Sequence, residues 1–389
     1  MDLRKELKLS DLLPKRPARK PKRQAKNAAR RPDKSTDVVG LKIGATALTA
    51  AHVTNNGGKK VVRVARAPLA PGIVGGGEVR DPIALGEALA NFFAAHSLPR
   101  RGVRLGLANS RIGVRVIEIA GIEDEQQLEN AIAFRAHEML SVPVDEAVID
   151  HHVLSVDTDE DGATTRKILL VVAYRDSVDR YLAAADAARI VLSGIDLEAF
   201  ALLRAIAEPE VAGESAEPRA AVAAVNIGHE RTTLAISNGV VCDFSRVLQW
   251  GGSVLSSAIA RALKITPEEG ENVKHRLSLE DGHESVDGLP ASKSAEAVEA
   301  VRYELQALVR ELVSSLRFYQ SQPASLPISE ILITGGTSSM PGLAAELAQE
   351  LGMSVRVADP LTRVELADGV ELPEPAGALA VALGLGIED

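Results

Sequence analysis

Two halves of the chain share one rhythm of apolar and polar positions. Apolar runs at 38–43, 48–53 and 60–66 predict three strands, and Asn55-Asn56-Gly57-Gly58 supplies a hairpin turn between the last two. A helical period over 82–96 follows, then strands at 103–108 and 114–119 paired around Asn109-Ser110. Leu128, Ile132, Arg135 and Met139 recur at helical spacing in a segment that Pro143 follows. Strands are predicted at 148–156 and 168–173, the second almost wholly apolar and hence central. A helix at 176–188, a strand at 190–195 and a helix at 197–207 complete this half. Residues 208–219, polar and holding two prolines, mark a boundary.

The second half repeats the grammar. Strands are predicted at 221–228, 232–238 and 240–247, with Asn238-Gly239 as the hairpin turn. Helices over 253–263 and 267–277 precede a Gly/Asp/Ser/Pro loop over 278–292. A long helix over 294–320 carries Val298, Val301, Leu305, Leu308, Leu312 and Leu316 down one side. A strand at 329–334, a helix at 342–351, a strand at 355–358 and an Ala/Leu-rich helix at 377–386 close the pattern. Two halves that each open with a three-strand meander and continue into helices predict a duplicated, two-lobed α/β fold around one cleft.

Composition fits that picture: 46% hydrophobic and 25% charged residues in 389 positions describe a globular chain with more than one core. The single Cys242 excludes an internal disulfide framework and suits a reducing compartment. No apolar run reaches the ~18 residues a membrane span needs, and no apolar signal core opens the chain, so a cytoplasmic protein is expected.

Charge is divided unevenly. Met1–Lys34 holds 13 Lys and Arg against 4 Asp and Glu, a net of +9, against −9 for the whole chain, so residues 35–389 carry −18. Prolines and like charges in residues 13–34 cannot bury a core, and residues 1–36 are read as a disordered basic leader. Three readings of it stay open: a solvated tail, a tail docking on an anionic membrane surface or a protein, and a nucleic-acid arm. The last is set aside because no aromatic residues are interleaved.

Three strand–glycine turns carry the candidate chemistry: Gly40-Leu41-Lys42-Ile43-Gly44-Ala45-Thr46, Val225-Asn226-Ile227-Gly228 running on to Thr233, and Ile331-Leu332-Ile333-Thr334-Gly335-Gly336. Glycine there lets backbone approach a flat or anionic ligand. Together these turns resemble the nucleotide-binding fold shared by actin, hexokinase and the heat-shock chaperone ATPases. Three further stretches make the chain similar to the PilM family, the actin-like cytoplasmic proteins of type IV pilus assembly, relatives of the division protein FtsA. They are Val116–Ile119 with 128–143 and 149–154, Trp250-Gly251-Gly252-Ser253 with 265–274, and the Ile331–Leu343 stretch.

The resemblance covers about residues 37–387. It implies an actin-like fold of duplicated ribonuclease-H-like domains: lobe 1 over 37–218, with an inserted small α+β subdomain at about 68–172, and lobe 2 over 219–389. It further implies ATP as cofactor, with phosphates held at the Gly44 and Gly228 turns, Thr46 and Thr232 adding hydroxyls, Gly335 and Gly336 flanking the adenosine, and Glu271 and Lys274 meeting ribose or adenine. The other reading of Glu271 and Lys274 is a plain surface ion pair three residues apart on a helix.

Two departures bear on chemistry. The family pattern places an Asp before each Ile-Gly to hold Mg²⁺; here those places carry Lys42 and Asn226. Phosphoryl transfer depends on the metal to neutralise developing charge. A degenerate site is therefore expected, with no catalytic residue, no bound metal and Mg²⁺ disfavoured. Lys42 either stands as a cation against the phosphates or pairs with Glu118 or another acid. His137, His151 and His152 match no compact ligand set.

The expected function is a non-enzymatic scaffold of the pilus assembly platform, peripheral at the inner face of the plasma membrane. By resemblance its partner is the N-terminal cytoplasmic tail of the membrane protein PilN, bound in a groove beside the inserted subdomain, with other platform or motor proteins and an anionic membrane surface as further partners. The alternative is an active ATP-binding kinase or ATPase of the same fold, for which Glu230 is the only obvious acid near the phosphates. An FtsA-like membrane filament protein ranks third, because the chain ends in Gly384-Leu385-Gly386-Ile387-Glu388-Asp389, which offers no amphipathic helix.

Overall fold

The computed structural model describes residues 37–388 apart from 123, 141–142, 159–163, 208–219, 240, 281, 283–284, 323–324 and 373–375. The basic leader and the 208–219 boundary lie outside the described residues.

Lobe 1 opens with β1 (Asp37–Ile43), β2 (Ala47–Thr54) and β3 (Lys60–Pro68), a meander paired antiparallel. A two-residue ladder of β4 (Val74–Gly75) and β5 (Glu78–Val79) leads to α1 (Pro82–Ala95), whose first turn is capped by Asp81 with Pro82 behind it. Strand β6 (Arg101–Leu107) then runs parallel to β1.

Next come β7 (Ile112–Ala120), α2 (Glu125–Leu140), β8 (Ala147–Thr158) and β9 (Thr164–Tyr174). They form a separate three-stranded sheet, order β7-β9-β8, with α2 on one face. The chain returns through α3 (Arg175–Ala187), β10 (Val191–Leu197) and α4 (Glu198–Ile206).

Lobe 2 repeats this plan. Strands β11 (Ala221–Ile227), β12 (Thr232–Ser237) and β13 (Cys242–Leu248) make the meander. Helices α5 (Gly252–Leu263) and α6 (Pro267–Lys274) are followed by the ladder of β14 (Leu277–Ser278) and β15 (Ser285–Val286). Then come α7 (Ala291–Gln320), β16 (Ile328–Thr334), a 3₁₀ turn (Gly336–Ser339), α8 (Leu343–Leu351) and β17 (Val355–Val357). Strand β18 (Glu365–Leu366) adds to β3 of lobe 1, and α9 (Ala380–Gly386) ends the fold.

The two main sheets have matching orders: β10-β6-β1-β2-β3, extended by β18, and β17-β16-β11-β12-β13 in the other lobe. The duplication read from the repeated meander is therefore present strand for strand. Lys42 pairs in register with Gly106 of β6, and Asn226 with Thr334 of β16, so they hold equivalent places.

Three sequence readings need correcting. The strands around Asn109-Ser110 do not pair: β6 lies between β1 and β10, and β7 pairs with β9. Asn109 is an anchored corner, not a hairpin turn; its Oδ1 accepts from Arg111 N at 2.9 Å and its Nδ2 donates to Ser177 Oγ at 2.9 Å. Since β6 is central to lobe 1, the inserted sheet begins at β7 and spans 112–174, not 68–172. Helix α6 also stops at Lys274, because 277–278 are taken by the short ladder.

Between the lobes lie α4 and α9. Helix α4 buries Leu202, Ala205 and Ile206 against Ala224, Ala235 and Leu332 of the lobe 2 sheet. Helix α9, with Leu379 just before it, buries Leu379, Ala382 and Leu383 against Ala51, Val53 and Val61 of lobe 1. Each lobe's last helix thus covers the other lobe's sheet. The two helices nearly touch, since a Cβ on Gly384 would stand 1.8 Å from Ala201 O.

Candidate functional site

The site is built on the two equivalent hairpins. Gly44 N donates to Ala47 O at 2.9 Å, and Gly228 N donates to Arg231 O at 3.0 Å. The two glycines close their own hairpins, with residues 45–46 and 229–230 at the tips. The third turn packs on the second. Gly335 has φ +97°, and a Cβ there would stand 2.4 Å from Ile227 O and 2.8 Å from Asn226 Oδ1. Gly336 beside it is exposed and faces open space.

The Trp250–Ser253 stretch folds back on the second hairpin: Gly252 N donates to Gly228 O at 2.9 Å and Ser253 N to His229 O at 2.8 Å. Lys274, buried at 6% exposure, donates to Gly252 O at 3.3 Å and pairs with Glu271 Oε1 at 2.7 Å. Glu271 also meets Ser256 and His275. Burial alone would raise its pKa, but hydrogen bonds from His275, Lys274 and Ser256 hold it below the usual carboxylate range. Glu271 and Lys274 are thus a partly buried pair at the foot of the Gly228 turn, not a surface pair.

Thr46 is exposed. Thr232 is fully buried and its hydroxyl donates to Trp250 O at 2.8 Å, so it holds the chain and does not point at a ligand.

Gly44 joins this group through a residue that sequence reasoning missed. Arg231, at the end of the second hairpin, reaches into lobe 1. Its Nη2 donates to Ile43 O at 3.4 Å and to Glu198 Oε1 at 3.1 Å, and both side chains are buried. Glu198 is 1% exposed. Next to it, Glu230 Oε2 accepts from Gly76 N at 3.0 Å. Tyr181 Oη donates to Gly77 O at 3.0 Å beneath the same turn, and burial pushes its pKa up to about 12. Arg231 links the Gly44 turn to the Gly228 turn through Ile43 O, and Gly335 packs on Ile227, so the three turns adjoin at the crevice between the lobes, where Arg231 and Glu198 pair.

No sequence signal marks that pair: Arg231 follows Glu230 in the polar stretch His229-Glu230-Arg231-Thr232-Thr233, and Glu198 has Asp196 two residues before it. Lys42 is half-buried, and burial lowers its pKa, offset by attraction to Glu198 and reinforced by repulsion from Arg231 and Arg66. The acid near Lys42 is therefore Glu198. Glu118 lies elsewhere, lining a recess of about 210 Å³ with Arg115, Ile117, Arg135 and Glu138 in the inserted sheet.

These residues do not fit Mg²⁺. The two equivalent strand positions hold a cation and an amide, the buried carboxylate between the lobes is engaged by Arg231, and Asn226 Oδ1 is buried without a hydrogen-bond partner among the described residues. No group of three His, Cys, Asp or Glu that could hold a metal occurs among the described residues. His151 and His152 lie on β8, and His137 lies in α2. A recess of about 450 Å³ flanks α5, lined by Ser253, Val254, Ser257, Arg261, Ile265 and Pro267, and neither Glu271 nor Lys274 borders it. No described helix is long and apolar enough to cross a membrane.

Comparison with known proteins agrees with the geometry. The family described as type IV pilus assembly protein PilM matches residues 40–389. A solved structure described as the PilM-PilN type IV pilus biogenesis complex is 25% identical, with a TM-score of 0.73 over 90% of this chain and 98% of that one. The ethanolamine utilization protein EutJ of Carboxydothermus hydrogenoformans shares the fold, with 16% identity and a TM-score of 0.51 over 92% of this chain and 91% of that one.

The cell division protein FtsA of Bacillus subtilis is 24% identical over 67% of this chain and 64% of its own length. FtsA of Escherichia coli K12 is 28% identical over 42% of each. The chain thus spans less than two thirds of these division relatives. With the duplicated lobes, the paired glycine hairpins and a match over nearly the whole described chain, the protein belongs to the PilM family of type IV pilus assembly proteins and has the actin-like fold.

Proposed function

We propose that this chain is a scaffold of the pilus assembly platform that binds the cytoplasmic N-terminal tail of a PilN-like membrane protein and does not hydrolyse nucleotide. The near full-length likeness to the PilM-PilN complex carries this reading. The inserted sheet offers a suitable neighbourhood, since β7 and β8 are its edges and an extended tail can add to such an edge. The crevice is retained as a nucleotide-type site, while the loss of metal-holding carboxylates argues against phosphoryl transfer. The basic leader, opposite in sign to the body, fits an anionic membrane surface.

A pull-down with synthetic N-terminal tails of pilus inner-membrane proteins, with and without ATP, tests the tether. Retention of no tail would sink it, and ATP turnover above background would sink the non-enzymatic part. Liposome co-sedimentation of the full chain against residues 35–389 tests the leader; equal binding at low salt removes its membrane role.

A further inference from the structure

The floor of the crevice carries more positive charge than it needs for its own pairing. Glu198 acts on the charge of Lys42 but pairs directly with Arg231 among the described residues. Arg66 adds to the positive potential at Lys42. The Lys42 ammonium makes no direct ion pair among the described residues, although it is half-buried and burial opposes its charge. Asn226, 3% exposed, completes the equivalent place in lobe 2 with an unpartnered amide oxygen. Tyr181 stays neutral across the physiological range, while Glu230, whose charge also reaches Arg231, accepts from Gly76 N.

An actin-like crevice with carboxylates in these two places recruits a divalent cation and meets the phosphates through it. Here the cation is already part of the chain. We propose that Lys42 and Arg231 serve as the phosphate counter-charge in place of a metal, so that the crevice takes a metal-free nucleoside polyphosphate, with Arg231 exchanging Glu198 for a phosphate oxygen. This rests on the reading of the crevice as a nucleotide site.

The exchange has a structural consequence. Arg231 belongs to the lobe 2 hairpin, and Glu198 begins α4, which packs on the lobe 2 sheet. A phosphate that draws Arg231 away from Glu198 and Ile43 O removes the two hydrogen bonds that this side chain makes to lobe 1. Phosphate occupancy and the closure of the lobes are thereby linked at one side chain.

The test is calorimetric titration of the full chain with ATP, ADP, adenosine and pyrophosphate, in EDTA and again in excess Mg²⁺. ATP affinity should change by less than about threefold between the two buffers, while Lys42→Gln weakens it by about tenfold or more and leaves adenosine binding alone. Lys42→Arg keeps the charge and should stay near the parent. Glu198→Gln frees Arg231 and should tighten ATP binding; thermal melts of each variant confirm that it is folded.

Replacing Lys42 and Asn226 together by Asp should convert the site to one that binds ATP only with Mg²⁺. Strict dependence of the parent on Mg²⁺, or an unchanged affinity in Lys42→Gln, overturns the inference and leaves the nucleotide site standing. Failure of the parent to bind ATP, ADP and adenosine alike overturns both.

Discussion

Glu198 and Arg231 are each out of water, and neither charge could stay there alone. Removing one partner of such a pair leaves the other uncompensated, whereas replacing both by apolar side chains of similar bulk is close to neutral. Glu198→Ala should therefore cost about 3–5 kcal/mol in urea unfolding, and the double replacement Glu198→Leu with Arg231→Met should recover most of that loss. An additive double variant would show that the two side chains act independently.

At this scale the sequence was half legible. Lys42 and Asn226 could be read directly, because a repeated strand–Ile–Gly pattern exposes what stands before it. Arg231 and Glu198 could not, since they stand 33 positions apart on different lobes and meet only when the lobes close. The role of Thr232 was misread for a similar reason: the strand pattern does not tell that Trp250 O lies within reach of its hydroxyl.

Helices and strands with local signals were the most readable. Asp81-Pro82 and Thr266-Pro267 both open helices where cap and proline chemistry require. At α6 the signal is a full capping box, with Thr266 Oγ1 accepting from Glu269 N and Glu269 Oε2 accepting from Thr266 N. Thr266→Ala should cost about 1 kcal/mol, seen as a lowered unfolding midpoint, and Thr266→Ser should cost much less. An alanine variant as stable as the parent would mean that packing of α6 under α5 suffices to hold it.

Strand partners were less readable. The apolar runs of β6 and β7 are close in sequence, but β6 is buried in the middle of the lobe 1 sheet while β7 leaves for the inserted one. Periodicity gives the strand; only the sheet gives its neighbour.

On the scale of the molecule, stability should respond to pH through buried imidazoles. His52 in β2 and His229 at the second hairpin both have pKa values lowered from the ordinary 6.5, chiefly by burial. Asp37, whose Oδ2 lies 3.8 Å from His52 Nε2, only partly offsets this. Below pH ~6.5 the unfolded chain binds protons that the folded chain resists, so stability falls as pH drops through that value towards the folded pKa. Glu271, held low in the fold, adds a second loss at more acidic pH, because its stabilisation is complete above the unfolded carboxylate pKa and disappears as the group is protonated. Melting curves between pH 7.5 and pH 5 should therefore show a downward slope that is shallower in His52→Gln; equal slopes would assign the effect to other groups.

The duplication itself was the most legible feature of all. Two meanders tipped by glycine at matching places announce two like sheets, and the sheets follow. What the repeat could not show was the crossing of α4 and α9 between them, because each packs on a partner from the other half, and α9 is buried on all sides.

That crossing governs the order in which the protein can be finished as it leaves the ribosome. Asn55, in the loop after β2, exchanges hydrogen bonds with Gly386 O and Glu388 N across 331 and 333 residues. Arg104 of β6 likewise holds Leu385 O and Ile387 O. The lobe 1 sheet thus waits for residues made 331 and 333 positions after Asn55, with one sheet face bare until then. A nascent chain stalled short of α9 would present that uncovered apolar face to chaperones.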